Sequence, residues 1–151
     1  MPHESRSSPR EIQNYLGRVS GPLLDRIDLH VEVPQVKFRE ISGEGNGETS
    51  AQISQRVIVA RERQQARFTG TRITCNARMG TRELKKYCAL DEAATELLKF
   101  AMADLNFSAR AYDRILKVAR TMADLAGHDE LRSEHVSEAI QYRSLDRQLW
   151  T

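Results

Sequence analysis

The sequence predicts a mainly α-helical domain, a bundle of four to five helices, preceded by an arm that contributes one helix and one strand. Three observations carry that expectation. From residue 51 onward the apolar residues recur at helical spacing. Only Ile27-Asp28-Leu29-His30-Val31-Glu32-Val33 alternates apolar and polar residues in the way of a strand with one buried face. Between the two regions lies Ser42-Gly43-Glu44-Gly45-Asn46-Gly47-Glu48-Thr49-Ser50, acidic, glycine-rich and without an apolar anchor, which reads as a flexible linker. The organisation expected is therefore an arm over 1–35, a linker over 36–50 and a helical domain over 51–151.

Taken in order, Ser8-Pro9-Arg10-Glu11 starts a helix: a capping serine, proline at the first helical position and glutamate at the third. It should run to about Arg18, before Ser20-Gly21-Pro22 breaks it. Residues 23–26 have room only for a turn or short helix. The strand over 27–33 then ends at Pro34, and a lone strand must either pair with a sheet lying outside this sequence or pack irregularly. A long helix from about Ser50 to Phe68 places Ile53, Val57, Ala60 and Phe68 on one face, and Gly70 stops it. In the connector 71–80, Ile73 and Met79 are candidate core plugs. Thr81 is the expected cap of a short helix through Tyr87, and Asp91 of the next, whose stripe is Leu97, Leu98, Ala101, Met102 and Leu105. Ser108 opens a helix to Ala126 with Tyr112, Ile115, Ala119, Met122 and Ala126 on its apolar face and Arg110, Asp113, Arg114 and Lys117 on another. Gly127 terminates it, and Ser133 opens a last helix with Val136, Ala139 and Ile140 inward.

The 151 residues, 40% hydrophobic and 29% charged, suit one globular core, and a formal net charge of +2 is too small to bind nucleic acid by bulk electrostatics. No apolar run approaches the roughly 18 residues that span a bilayer, and the N-terminus has no signal-peptide core, so a cytoplasmic protein without membrane contact is expected. Cys75 and Cys88 are too far apart for a metal-binding or redox pair and read as free, packed thiols, and the four histidines form no ligand pattern; no metal site is expected.

None of the eight glycines precedes Gly-Lys-Ser/Thr, so the phosphate-cradling loop is not in this sequence, and the chain alone is expected neither to bind nor to hydrolyse ATP. Cys88-Ala89-Leu90-Asp91-Glu92 imitates the acidic end of a magnesium-binding strand, but it leads straight into a helical pattern, which favours Asp91 as a helix cap.

Two motifs carry a resemblance. Ser20-Gly21-Pro22-Leu23-Leu24-Asp25-Arg26-Ile27-Asp28-Leu29 resembles the end of the AAA+ core in the magnesium-chelatase-like ATPases, including their ComM-type members. Phe107-Ser108-Ala109-Arg110-Ala111-Tyr112, continuing to Gly127, looks like their lid helix, and likeness extends from about Ser8 to Arg147. The Walker motifs and most of the sheet fall outside it. The resemblance implies the C-terminal piece of an AAA+ ATPase. Arg26 would be an arginine finger acting in trans and Asp25 an interface residue beside it. Arg110 would be the sensor 2 arginine on the ATP phosphate, with Arg114 as runner-up. ATP and Mg2+ would be bound by the parent protein only, and the partners implied are further copies in a ring, taken as hexameric, with this piece monomeric alone. The ComM likeness leans toward DNA remodelling such as branch migration; the competing family reading is metal insertion into a porphyrin. From other classes come a free-standing nucleic-acid module using Arg56, Arg61, Arg63 and Arg67, and a purely structural adaptor.

Overall fold

In the computed structural model the described residues are 8–18, 23, 26–34 and 47–143. The arm helix α1 (Pro9–Leu16) begins with the expected box: the Ser8 backbone N–H donates to the Glu11 carboxylate at 2.8 Å, and the Glu11 N–H returns to the Ser8 hydroxyl at 3.3 Å. Five helices follow: α2 (Ser50–Arg67), α3 (Thr81–Tyr87), α4 (Glu92–Asp104), α5 (Ala109–Leu125) and α6 (Ser133–Gln141), with a 3-10 turn at Asn76–Arg78 between α2 and α3. Helix α5 is the hub, packing against α6, α2, the 3-10 turn and α3, while α4 closes on α6. The protein is mainly α, as its periodicity predicts.

Local chemistry explains most boundaries. Asp91 caps α4 by accepting the Ala94 N–H at 2.7 Å, which settles the acidic pair at 91–92 as a helix start. Two helices end in Schellman turns. At the end of α4, Asn106 takes φ +50° and the Phe107 N–H reaches the Met102 carbonyl (3.1 Å); at the end of α5, Gly127 takes φ +77° and the His128 N–H reaches the Ala123 carbonyl (2.8 Å). One expected cap shifts by one residue, and α6 opens at Ser133 as its sequence suggests. Gly80, not Thr81, precedes α3, its N–H held by the Glu83 carboxylate at 3.0 Å, and Arg132 precedes α6. In both cases the side chain at the third helical position reaches back to the cap, so the hydroxyl is not needed.

The core gathers Phe68, Met79, Leu84, Cys88, Leu98, Ile115, Leu116, Leu131 and Val136. Leu98, Ile115 and Val136, none more than 2% exposed, each contribute about 1.5–3 kcal/mol by leaving water. Residues 50–59 of α2 are exposed throughout, and its first buried side chain is Ala60, so the expected Ile53 and Val57 are uncovered among the described residues.

The buried sector of α5 differs from the expected one. Ile115 and Ala119 are buried, but Tyr112 and Ala126 are exposed, and Ala111, Leu116, Ala123, Arg120 and Asp124 are covered instead. Helices on several sides widen the sector, and the polar members of it satisfy one another. Arg67 at the end of α2 forks onto both oxygens of Asp124, one at 2.7 Å. Asn76 donates to the same carboxylate at 2.8 Å and to the Thr121 hydroxyl at 3.1 Å, and its backbone N–H donates to Gln64 at 3.1 Å. Arg120 lies 3.1 Å from Asp124 and donates to the carbonyls of His128 and Asp129 at 2.6 and 2.7 Å. Burial alone would raise the Asp124 pKa; hydrogen bonds from Arg67 and Asn76 and the Arg120 charge overrule it and hold the carboxyl below its ordinary range.

Among the described residues there is no strand. Residues 27–34 make no ladder with any described segment, and Leu29, Val31 and Val33 stay exposed. The segment is instead pinned to the end of the bundle: the His30 N–H donates to the Tyr142 carbonyl at 2.8 Å, and Arg143 donates to the Ile27 carbonyl at 2.6 Å. The 36–50 linker up to Asn46, Asp25 and the tail from Ser144 lie outside the described residues.

Candidate functional site

The turn from α4 to α5 fixes where Arg110 stands. Asn106 reverses the chain in the left-handed conformation, and Ser108 then caps α5, its hydroxyl accepting the Ala111 N–H at 3.2 Å. Arg110 is the second residue of this 17-residue helix. It is exposed and makes no hydrogen bond or ion pair with any described residue. Its guanidinium therefore stands where unpaired backbone N–H groups and the positive end of the helix dipole already favour an anion.

Arg114, one turn further on, has a different fate. It forms an ion pair with Asp28 of the arm, leaving Arg114 about a quarter exposed (27%). Of the two arginines singled out in α5 as phosphate ligands, only Arg110 is uncommitted among the described residues. Arg26 is presented in a comparable way. Its backbone N–H closes a turn on the Leu23 carbonyl at 3.0 Å, its side chain is exposed and makes no ion pair with a described residue, and the residues after it are fastened to the bundle through Asp28, Ile27 and His30. Sequence reasoning missed these fasteners. The only local hint was Tyr142-Arg143 directly after the apolar stripe of α6.

Most of the strip of Arg56, Arg61, Arg63 and Arg67, the candidate nucleic-acid face, is already paired within the fold. Arg56 pairs with Glu48, Arg63 with Asp129 (2.8 Å) and the Gly127 carbonyl (2.8 Å), and Arg67 with buried Asp124; Arg61 leans on Gln64 at 3.5 Å. Three of the four are thus matched with carboxylates, and charges paired in this way attract phosphate weakly.

Two thiols sit in opposite environments. Cys88 is buried, donates to the Leu116 carbonyl at 3.8 Å, and has its pKa pushed up to about 11 by burial. Cys75 is half-buried; burial works against its thiolate, but Arg61 and the Arg78 backbone outweigh it and lower the pKa. A groove of about 820 Å³ opens beside α5, lined by Leu84, Cys88, Leu98, Met102, Tyr112 and Leu116 with Lys85, Lys99 and Asp113 at the polar positions. It is apolar in its walls and carries no convergent phosphate ligands.

His128, Glu134 and His135 bring their ligand atoms within 4.8 Å of one another, a grouping that the sequence spacing does not suggest. Their hydrogen bonds argue against a metal there. The Arg132 backbone N–H donates to Nδ1 of His135 at 3.0 Å, so the ring proton belongs on Nε2, which faces Nδ1 of His128 at 3.0 Å. Both nitrogens that would ligate are engaged with each other.

The family described as magnesium chelatase, subunit ChlI C-terminal, matches residues 47–143, which contain the whole bundle, and the family described as magnesium chelatase, subunit ChlI, matches residues 1–41. Competence protein ComM of Haemophilus influenzae is 41% identical over 146 residues, covering 96% of this chain and 28% of that protein. The YifB proteins of Salmonella typhimurium and Escherichia coli are 40% and 38% identical, each over 97% of this chain and 28% of their own length. The chain thus spans little more than a quarter of the curated relatives it matches.

Proposed function

Because the chain belongs to the magnesium chelatase subunit ChlI family, we propose that it is the lid end of a ring-forming AAA+ ATPase. In this reading it gives one arginine to the nucleotide of its own subunit and another to that of the neighbour. The chain is 28% of the length of the ComM relative, so turnover belongs to the longer parent. The observation that carries the reading is Arg110: exposed, unpaired among the described residues and set in the first turn of a serine-capped helix. ATP with Mg2+ supplies the phosphoryl group to be transferred, and the residues here fit its anionic end.

Arg110 offers a planar fork of donors to the terminal phosphate, and its position on α5 ties the attitude of the lid to the presence of that phosphate. Arg26 crosses the subunit boundary and neutralises charge on the transferring group, a contribution of about three to five decades of rate in NTPases. Arg114, held by Asp28, joins the turn bearing Arg26 to the helix bearing Arg110, so a movement of one is passed to the other. The name of the Haemophilus influenzae relative refers to competence, and DNA is accordingly the proposed substrate of the ring, with branch migration as the remodelling step. The family description itself favours the second reading, magnesium insertion into a porphyrin.

The test uses the full-length parent. Arg110→Ala should lower ATP turnover without altering stability. Arg26→Ala should be inactive alone and regain turnover when mixed with subunits lacking a working phosphate loop, since those retain the finger. Unchanged turnover in both variants would leave the lid a structural adaptor. Stimulation of turnover by a branched DNA, or by a porphyrin with Mg2+, separates the two substrates.

A further inference from the structure

The turn between α5 and α6 carries a hydrogen-bond chain that is complete only when both of its histidines are neutral. Glutamate is the usual third residue of a capping box; in α6 that position is His135, whose Nδ1 accepts the Arg132 N–H at 3.0 Å. Its Nε2–H then donates to Nδ1 of His128 at 3.0 Å, and the rings lie tilted against each other at 5.1 Å between centroids. His135 is 4% exposed. We propose that the His128–His135 pair is an acid-released latch, closing the α5–α6 turn and capping α6 while neutral and opening when it takes up a proton.

The surroundings give the latch its direction. A proton on Nδ1 of His135 would face the Arg132 N–H, donor against donor, and would add positive charge at the already positive start of a helix. From α5, the Arg120 guanidinium reaches the carbonyls of His128 and Asp129. From the turn come His128 itself and the Arg132 guanidinium, 3.4 Å from Nε2 of His128. From α2, Arg63 holds Asp129 and the Gly127 carbonyl. The opposing charge is Glu134, 3.6 Å from His135 but 61% exposed, so solvent screens it. The balance holds the His135 pKa below its ordinary value, first by burial and then by the cations. A histidine depressed in this way stabilises the fold fully above its unfolded value of 6.5, and that stabilisation is lost as pH falls from there toward the folded value.

The experiment is urea unfolding of the full chain from pH 7.5 to 5, comparing wild type with His135→Gln. The glutamine amide oxygen can accept the Arg132 N–H at every pH. Wild type should lose stability as pH drops below about 6.5, its unfolding constant rising by at most about tenfold per pH unit beyond that of the variant. The variant should lack that component. Nitrogen-15 NMR of the wild-type imidazoles at neutral pH needs no variant and should place the His135 proton on Nε2. Equal pH slopes in the two proteins, or a proton found on Nδ1, would overturn the proposal.

Discussion

Asp124→Asn is the sharpest test of how this bundle is held together. The Asp124 side chain is 0% exposed, and those of its partners Arg120 and Arg67 are 2% and 12% exposed, so solvent cannot take over when the carboxylate charge goes. Removing one partner of a buried ion pair costs about 3–5 kcal/mol, because the remaining charge is left uncompensated, and here two guanidinium groups are left. For a domain near 100 residues, a loss of that size lowers Tm by about 12 °C or more. Urea titration followed by circular dichroism would measure it, with Arg63→Ala as the control. Its pair with Asp129, which is 93% exposed, should be worth at most about 1 kcal/mol. The same network sets an acid limb. The Asp124 pKa is depressed in the fold, so its contribution is complete above the ordinary value of 3.8 and fades as pH falls through the folded value. A cost below about 1 kcal/mol for Asp124→Asn, no more than the surface control, would refute the view that this network anchors α5 to α2.

Other predictions follow from single sites. Gly127→Ala should destabilise by about 1–2 kcal/mol through its φ of +77° alone, since the nearest atom to an added Cβ is the end of Arg63 at 3.8 Å; chemical denaturation reads this directly. In native alkylation followed by peptide mass spectrometry, Cys75 should label well before Cys88, whose thiol is buried and has a pKa of about 11. Asp91→Ala should cost about 1 kcal/mol by uncapping α4, and Mg2+ should leave the stability of the wild-type chain unchanged if Asp91 is a cap alone.

What could be read in advance was what neighbours in sequence decide. Ser8, Asp91, Ser108 and Gly127 act within four residues of themselves, and the structure uses each as its local chemistry suggests. The place of Arg110 follows from Ser108 by the same logic. What could not be read depends on distant partners. Arg67 looks like any solvent-facing arginine until Asp124, 57 residues away, claims it, and Arg114 differs from Arg110 only through Asp28, 86 residues away. Helical periodicity does not single out Arg120 and Asp124 because it assumes one covered side, whereas α5 is covered from several. The alternation over 27–33 marks a face suited to a sheet, but the ladder it would join is a property of other segments.

The first ten residues of α2, uncovered among the described residues, have a mechanical consequence. Rising 1.5 Å per residue, they project about 15 Å as a cantilever whose root is Ala60, the point where the helix first meets the bundle. A tilt of about 10° at that root sweeps the start of the helix at Ser50 through roughly 2.6 Å, by the same helical rise. A small rotation of the packed body thus becomes a displacement comparable to a hydrogen-bond length at whatever the tip touches.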